Sequence, residues 1–354
     1  MPMKIDTFTK NDSMNFKKRS TLIGLFFFSA FSHALTQEVS VTTRVKSEQL
    51  VRPKSLKKGD TIAIVAPAGI LMNREGTIEK AKQLAESWGL YVLLGEHMFA
   101  QGSHFAGSDA HRAEDFQKAL DNKSVKAIWS ARGGYGSVRI LDLLDFSNFK
   151  KHPKWIIGYS DITAIHSHIH NLGFETLHAM MATSLEDDPL ETKQTIASFK
   201  AALFGESLSY QIAPNAMNRN GSAKGQLVGG NLTMLLTMLG SKSQINTDGK
   251  ILFIEEIGEY KYHIDRMLQS LKRAGYFEKC KGLIVGNMTK IKKNTTPWGA
   301  SIEDLILGVV SEYDFPILFD FPAGHEANNQ AIILGRTIDM EVSEQHATVI
   351  FEQY

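Results

Sequence analysis

The sequence predicts an α/β protein in two parts, a doubly wound parallel sheet followed by a strand-rich α/β module with few helices. Three observations carry this expectation. Between about residues 57 and 200, short β-branched apolar runs alternate with stretches of helical periodicity, the pattern of parallel strands joined by crossover helices. Residues 206–222 are rich in Ser, Asn and Gly with one proline, so they read as a linker. Beyond them, from 223 to 354, apolar runs follow one another with few helical stretches between.

Residues 1–34 are set aside as a secretory signal peptide. Phe16-Lys17-Lys18-Arg19 forms a basic n-region, 21–31 an apolar core too short to span a bilayer, and Ser32-His33-Ala34 a small-x-small cleavage site. An uncleaved membrane tether is the alternative, and translation from Met14 would give the n-region its usual length. Residues 35–56 are polar and aperiodic, and read as a tether.

The N-terminal domain is expected over 57–205. Lys57-Lys58-Gly59-Asp60 makes a turn, and TIAIVAPAG (61–69) is a buried strand leading into a loop. Residues 75–88 place Ile78, Ala81, Ala85 and Trp88 on one helix face, with Gly89 as the stop, and 91–94 is the next strand. A capped helix is expected over 108–122 and a buried strand over 125–131. That strand runs into Arg132-Gly133-Gly134-Tyr135-Gly136, before a short helix at 137–144. A Gly-rich loop between strand and helix lets backbone N–H groups approach an anion or oxyanion. Its spacing is not GxGxxG, so no dinucleotide site is read, and a bare tight turn is the plain alternative.

In WIIGYSDITAIHSHIHNLG (155–173) the pattern changes from buried strand to helix at Ser160. Such a corner lifts a hydroxyl to the carboxyl edge of a sheet and points the first helix N–H groups, including that of Asp161, at whatever the hydroxyl attacks. The plain reading is a serine N-cap, and Ile162 stands where a lipase-type elbow has its second glycine. Residues 175–179 end the first run of strands.

In the C-terminal domain, 223–354, residues 223–228 read as a strand. Gly229-Gly230-Asn231 reads as a turn, with Asn231 capping the helix 232–239. The strand 250–254 ends in Glu255-Glu256-Ile257-Gly258-Glu259, and 265–274 is an amphipathic helix with Met267, Leu268 and Leu271 inward. Strands at 282–285, 316–320, 331–334, 338–342 and 347–351 complete the module.

Composition narrows the functional classes. The chain of 354 residues carries 39 basic and 38 acidic residues, net charge +1, without the electrostatic footprint of a nucleic-acid binder. The single cysteine, Cys280, excludes intrachain disulfides and gives no structural zinc signal. Of His166, His168 and His170 only the first and last share a helix face, and no acidic ligand is spaced with them, so no metal centre or other cofactor is expected. His178 is a reserve candidate for substrate contact, more simply a core histidine.

Three places have the residue types of serine hydrolysis: Ser160, an acid at Glu255, Glu256 or Glu259, and His325 in Ala323-Gly324-His325-Glu326. A serine hydroxyl needs an imidazole base near neutral pH, and the imidazole needs a carboxylate to fix its tautomer.

Six stretches together, in order and spanning the chain from about residue 56, resemble the LD-carboxypeptidase family, serine peptidases that include the microcin-C-immunity peptidases. They are KKGDTIAIVAPAG, AIWSARGGYGSVRILDLLD, IIGYSDITAIH, LVGGNLTML, ILFIEEIGEYKYHIDRMLQSLKRAG and AGHEANN followed by ILG. The resemblance implies a triad of Ser160, Glu255 and His325, with the N–H groups of Asp161 and Gly134 as oxyanion hole. It also implies a flavodoxin-like N-terminal fold, a strand-rich C-terminal domain, a homodimer, and release of terminal D-alanine from murein tetrapeptides. Two departures from the family pattern are Glu256, where relatives often have Asp, and Ala179-Met180 after His178, where Gly-Pro is common. With an export signal, the expected enzyme works in the periplasm or cell envelope. The alternatives are a cytoplasmic immunity-type peptidase with the same triad, and a non-catalytic two-lobed binding protein.

Overall fold

Runs such as TIAIV and WIIG have no polar face, so as strands they need cover on both sides. In the computed structural model, which describes residues 50–353, both lie in the first of two large sheets and are covered on each face. The first half contains β1 (Thr61–Val65), β2 (Tyr91–Leu94), a hairpin of β3 (Gln101–Gly102) and β4 (Phe105–Ala106), β5 (Val125–Ser130), β6 (Trp155–Gly158) and β7 (Thr176–His178). Its helices are α1 (Glu75–Ser87), α2 (Asp109–Asp121), α3 (Ser137–Ile140), α4 (Ser147–Lys151), α5 (Thr163–Asn171) and α6 (Lys193–Phe204). The second half contains β8 (Ser209–Ile212), β9 (Gly221–Asn231), β10 (Ile251–Ile257), β11 (Gly282–Thr289), β12 (Ile317–Leu318), β13 (Ile332–Leu334), β14 (Thr337–Val342) and β15 (Ala347–Phe351). Helices α7 (Leu232–Thr237), α8 (Lys261–Arg273) and α9 (Ile302–Val309) accompany them.

The first sheet has the order β2-β1-β5-β6-β7-β13, parallel except for β13. The second has the order β12-β11-β10-β9-β14-β15-β8, parallel from β12 to β9 and antiparallel thereafter. Alternation along the strands sends Ile128 and Ile156 to one face of the first sheet, against Phe116, Phe149 and Ile165. Trp129, Ile157 and Leu177 go to the other face, where they join Phe199 of α6 and Phe253 and Phe321 of the second half in one core. Truncating a side chain there, as in Ile157→Ala, costs about 2–5 kcal/mol.

Several sequence expectations need correction. Residues 206–222 are not a plain linker. They contain β8 and the start of β9, and Arg219 forms a bridge with Ile317. The end of the tether is docked, since Val51 N–H donates to Gly173 O at 2.8 Å and Leu56 N–H to Leu203 O at 2.8 Å. The signal segment and the tether up to residue 49 lie outside the described residues. Gly229-Gly230-Asn231 is not a turn but the end of β9. A Cβ on Gly230 would stand 2.5 Å from Thr163 Oγ1, so the strand reads as a turn only because close packing demands glycine there. The most consequential correction is β13, expected in the C-terminal module but paired with β7, Ile332 opposite His178. The chain returns to the first sheet just after His325. Helices α6 and α9 are not among the elements read from the sequence, although Ser301 and Asp304 form a capping box at the start of α9 and Gly205 ends α6 in the left-handed conformation.

Candidate active site

All the parallel strands of a sheet end on one edge, and loops leaving that edge form the crevice in which open α/β folds bind ligands. Ser160 follows β6, the Arg132-Gly136 loop follows β5, Glu255 lies near the end of β10, and His325 follows β12. Two sheets thus bring these loops to one place.

Ser160 sits where β6 gives way to a 3₁₀ turn, Ser160–Ile162, that leads into α5, with its backbone in the left-handed region at φ 60°. A non-glycine residue there costs on the order of 1–3 kcal/mol, which is the strain of a sharp corner that exposes a hydroxyl. Ser160 Oγ is 2.9 Å from His325 Nε2, and His325 Nδ1 is 2.6 Å from Glu255 Oε2. Since an ionised carboxylate only accepts, Nδ1 carries the proton and Nε2 faces the serine as an acceptor. Glu255 is wholly buried, and its other oxygen has no partner among the described residues, so its charge is directed at the imidazole. The Tyr159 ring packs edge-on against His325 with centroids 4.9 Å apart. Burial pushes the Tyr159 phenol up to about 12, so it stays neutral.

The other glutamates go elsewhere. Glu256, on the opposite face of β10, accepts from Asn231 Nδ2 at 3.1 Å, Thr233 N at 2.8 Å, Thr233 Oγ1 at 2.7 Å and Ile257 N at 2.8 Å, and so anchors the start of α7. Burial raises its pKa, against the lowering by those donors. Glu259 pairs with His263 Nδ1 at 2.5 Å on α8.

Asp161 is buried behind the serine. Its carboxylate accepts from Ser137 N at 2.8 Å and its carbonyl from Ser137 Oγ at 2.6 Å, which ties the corner to the Gly-rich loop. Burial raises the Asp161 pKa. A Cβ on Gly133 would lie 3.3 Å from Ser160 Cβ and 3.5 Å from Asp161 N, so Gly133 is the loop residue against the serine. Its carbonyl accepts from Gly69 N at 2.9 Å. In a trans peptide C=O and N–H point opposite ways, so the Gly134 N–H points away from Gly69.

The histidine expectations sort themselves by partner. His166 Nε2 is 2.9 Å from Gly158 O, His168 Nδ1 is 2.9 Å from Ser243 Oγ, and His170 Nε2 is 3.2 Å from Lys250 Nζ, so the three rings serve separate contacts. His178 is wholly buried between Tyr159 and Phe253 and cannot meet a substrate, contrary to its reserve role.

Sequence reasoning missed the residues that hold the His325 loop. Thr195 and Ser198 of α6 bond Ala327 O, Asn329 N and Ala331 N at 2.7, 2.7 and 3.0 Å, and Asn329 Oδ1 accepts from Gly324 N at 3.0 Å. No local pattern marks them. Tyr159 had a signal, its place directly before the serine.

Comparison with known proteins supplies the family. Residues 62–179 match the LD-carboxypeptidase N-terminal domain and 224–340 the LD-carboxypeptidase C-terminal domain. The chain is 35% identical over 305 residues to a probable murein peptide carboxypeptidase of Bacillus subtilis, covering 84% of this chain and 94% of that one. The chain belongs to the LD-carboxypeptidase family. This LD-carboxypeptidase also superposes on the crystal structure of muramoyltetrapeptide carboxypeptidase from Oxalobacter formigenes, with TM-score 0.76, 26% identity, and 83% and 99% of the two chains covered. A microcin C7 self-immunity protein shares the fold, with TM-score 0.77 at 22% identity over 86% and 99%. Family membership makes the chain a serine-type peptidase.

Proposed function

We propose that this LD-carboxypeptidase hydrolyses the L,D-peptide bond that releases terminal D-alanine from murein tetrapeptides. The observation that carries the reading is the Ser160–His325–Glu255 hydrogen-bonded chain at the shared strand edge. Ser160 Oγ attacks the scissile carbonyl while His325 Nε2 takes its proton, and buried Glu255 stabilises the imidazolium. The oxyanion of the tetrahedral intermediate receives the N–H groups of Asp161 and Gly134. Collapse transfers the proton from His325 to the departing D-alanine nitrogen and leaves an acyl-serine, which water hydrolyses by the same steps with His325 again as base. The murein assignment draws on the Bacillus subtilis and Oxalobacter formigenes relatives. A periplasmic or envelope location and a homodimer accompany the reading, the location resting on the signal segment ending at Ala34.

The test is mass spectrometry of a murein tetrapeptide incubated with purified protein. Loss of one alanine from the wild type, and none from Ser160→Ala, is the expected result. Inertness toward the tetrapeptide, with cleavage of an aminoacyl sulfamoyl nucleotide, would transfer the assignment to the immunity type.

A further inference from the structure

Three glycines in five residues leave the Arg132-Gly136 loop with little shape of its own, and Gly134 and Gly136 stand at φ 99° and 139°, where other residues rarely go. An oxyanion donor on such a loop acts only if it is aimed before the charge develops. Whatever holds the loop therefore bears on the rate. Taking the proposed reaction and its Gly134 donor as premises, we propose that Arg112, outside the triad, is a positioning residue that fixes this loop and so aims the Gly134 N–H at the oxyanion.

Arg112 lies on α2 and is buried. Its Nη1 donates to Gly136 O at 2.8 Å and to Pro67 O at 2.6 Å, and its Nη2 pairs with Asp109. The peptide between Gly136 and Ser137 is gripped at both ends, because its N–H, on Ser137, donates to Asp161 Oδ2 at 2.8 Å. The C=O and N–H of a trans peptide point opposite ways, so a cation on one and an anion on the other lock its plane and match its dipole. At the entry of the loop, Gly133 O accepts from Gly69 N at 2.9 Å. Pro67 and Gly69 belong to one turn after β1, so Arg112 joins the segment that holds the entry to the peptide that ends the loop. Only Gly134 and Tyr135 lie between the two fixed points. The packing leaves no slack, since a Cβ on Gly136 would stand 2.8 Å from Arg112 Nη1 and 3.2 Å from Ala68 Cα.

Stability alone does not call for a cation here. A buried ion pair gains little over apolar side chains of the same volume, because desolvation offsets the attraction. A planar fork instead sets directions, with two carbonyls on one nitrogen and a carboxylate on the other. Asp109 is itself directed, since Arg139 takes its two oxygens at 2.9 and 2.6 Å. The string Arg139, Asp109, Arg112 thus runs from the surface to the peptide that Asp161, the residue after the nucleophile, holds from the other side.

The experiment compares wild type, Arg112→Met and Arg112→Lys on a murein tetrapeptide, with kcat referred to the Ser160 residues that a sulfonyl fluoride labels. It also compares inhibition by the tripeptide product with inhibition by the corresponding tripeptide aldehyde, whose carbon accepts Ser160 Oγ and whose oxygen then occupies the oxyanion position. Methionine fills the buried space without donors. In Arg112→Met, kcat and aldehyde affinity are both expected to fall about 10²-fold, with KM and product affinity little changed, as for loss of one oxyanion donor. Arg112→Lys, which keeps a charge and donors but not the fork, should lie between, about tenfold below wild type. Wild-type kcat in Arg112→Met, or equal losses of aldehyde and product affinity, would overturn the role of Arg112 and leave the proposed function standing. If Arg112→Met does not fold, wild-type kcat in Arg112→Lys overturns it in the same way. A wild type that labels but releases no D-alanine would instead overturn the proposed function, and this inference with it.

Discussion

Two adjacent glutamates on β10 do opposite work because successive side chains of a strand point to opposite faces. Glu255 reaches the His325 imidazole, and Glu256 collects four donors at the start of α7. Glu255→Gln keeps the shape, removes the charge and permits the wrong imidazole tautomer, so turnover should fall about 10⁴-fold with KM little changed, as in other triads. Glu256→Gln should keep turnover within about tenfold yet cost about 1–3 kcal/mol of stability, because one of its acceptors becomes a donor facing donors. Steady-state kinetics and urea melts of both variants check the pair; collapse of turnover in Glu256→Gln alone would reverse the assignment. The proposed triad was readable in the sequence only as a set of candidates: a strand-to-helix corner marks Ser160, as it would a serine N-cap, and a glycine-flanked loop marks His325. The choice among Glu255, Glu256 and Glu259 was open from residue types alone. It depends on where β10 stops, and the strand continues through Ile257 rather than ending at 254.

At the scale of elements, His325 is held by a loop fixed at both ends. Its entry is β12 in the second sheet and its exit is β13, which crosses to the first sheet beside β7, while α6 bonds the middle. Gly324 lets the loop close over the acid. Its φ is 134°, and a Cβ would lie 3.1 Å from both Glu255 Cβ and Asn287 Cβ. Gly324→Ala should therefore displace His325 from Glu255 and lower kcat on the order of 10²-fold, the scale of a misplacement of about 1 Å. Substrate KM should change little, and the melting temperature should fall by only a few degrees. A kcat near that of the parent would show that the loop absorbs the methyl. The alternation of buried strands and helices made the parallel part of the first sheet readable, because fully apolar runs have few other uses, whereas β9 to β12 of the second were read as strands without their parallel order. The destination of β13 was not readable. A three-residue apolar strand can pair with any open edge, and only the packed structure selects β7.

At the scale of the whole molecule, one core joins both sheets, and His166, His170 and His178 are buried. Burial pushes His166 down to about 4 and His170 down to about 3, and it depresses His178 well below the ordinary value. The unfolded chain takes up these protons near pH 6.5, whereas the folded protein resists until much lower pH. Below about pH 6.5 the unfolded state therefore binds more protons, and stability falls as the pH drops toward 4. For His166 alone the loss between pH 7.5 and 5 is about 2 kcal/mol. Asp161 and Glu256, raised by burial, act with the opposite sign, because the folded state takes up their protons at a higher pH than the unfolded chain does, so they offset part of the histidine loss. Urea midpoints at pH 7.5, 6 and 5 should thus decline steadily. In His166→Gln, whose amide can still donate to Gly158 O, the decline should be shallower by up to one proton's worth of slope. An identical pH dependence in wild type and His166→Gln would mean that His166 takes up its proton without opening the fold, and the acid sensitivity would then rest on His170 and His178.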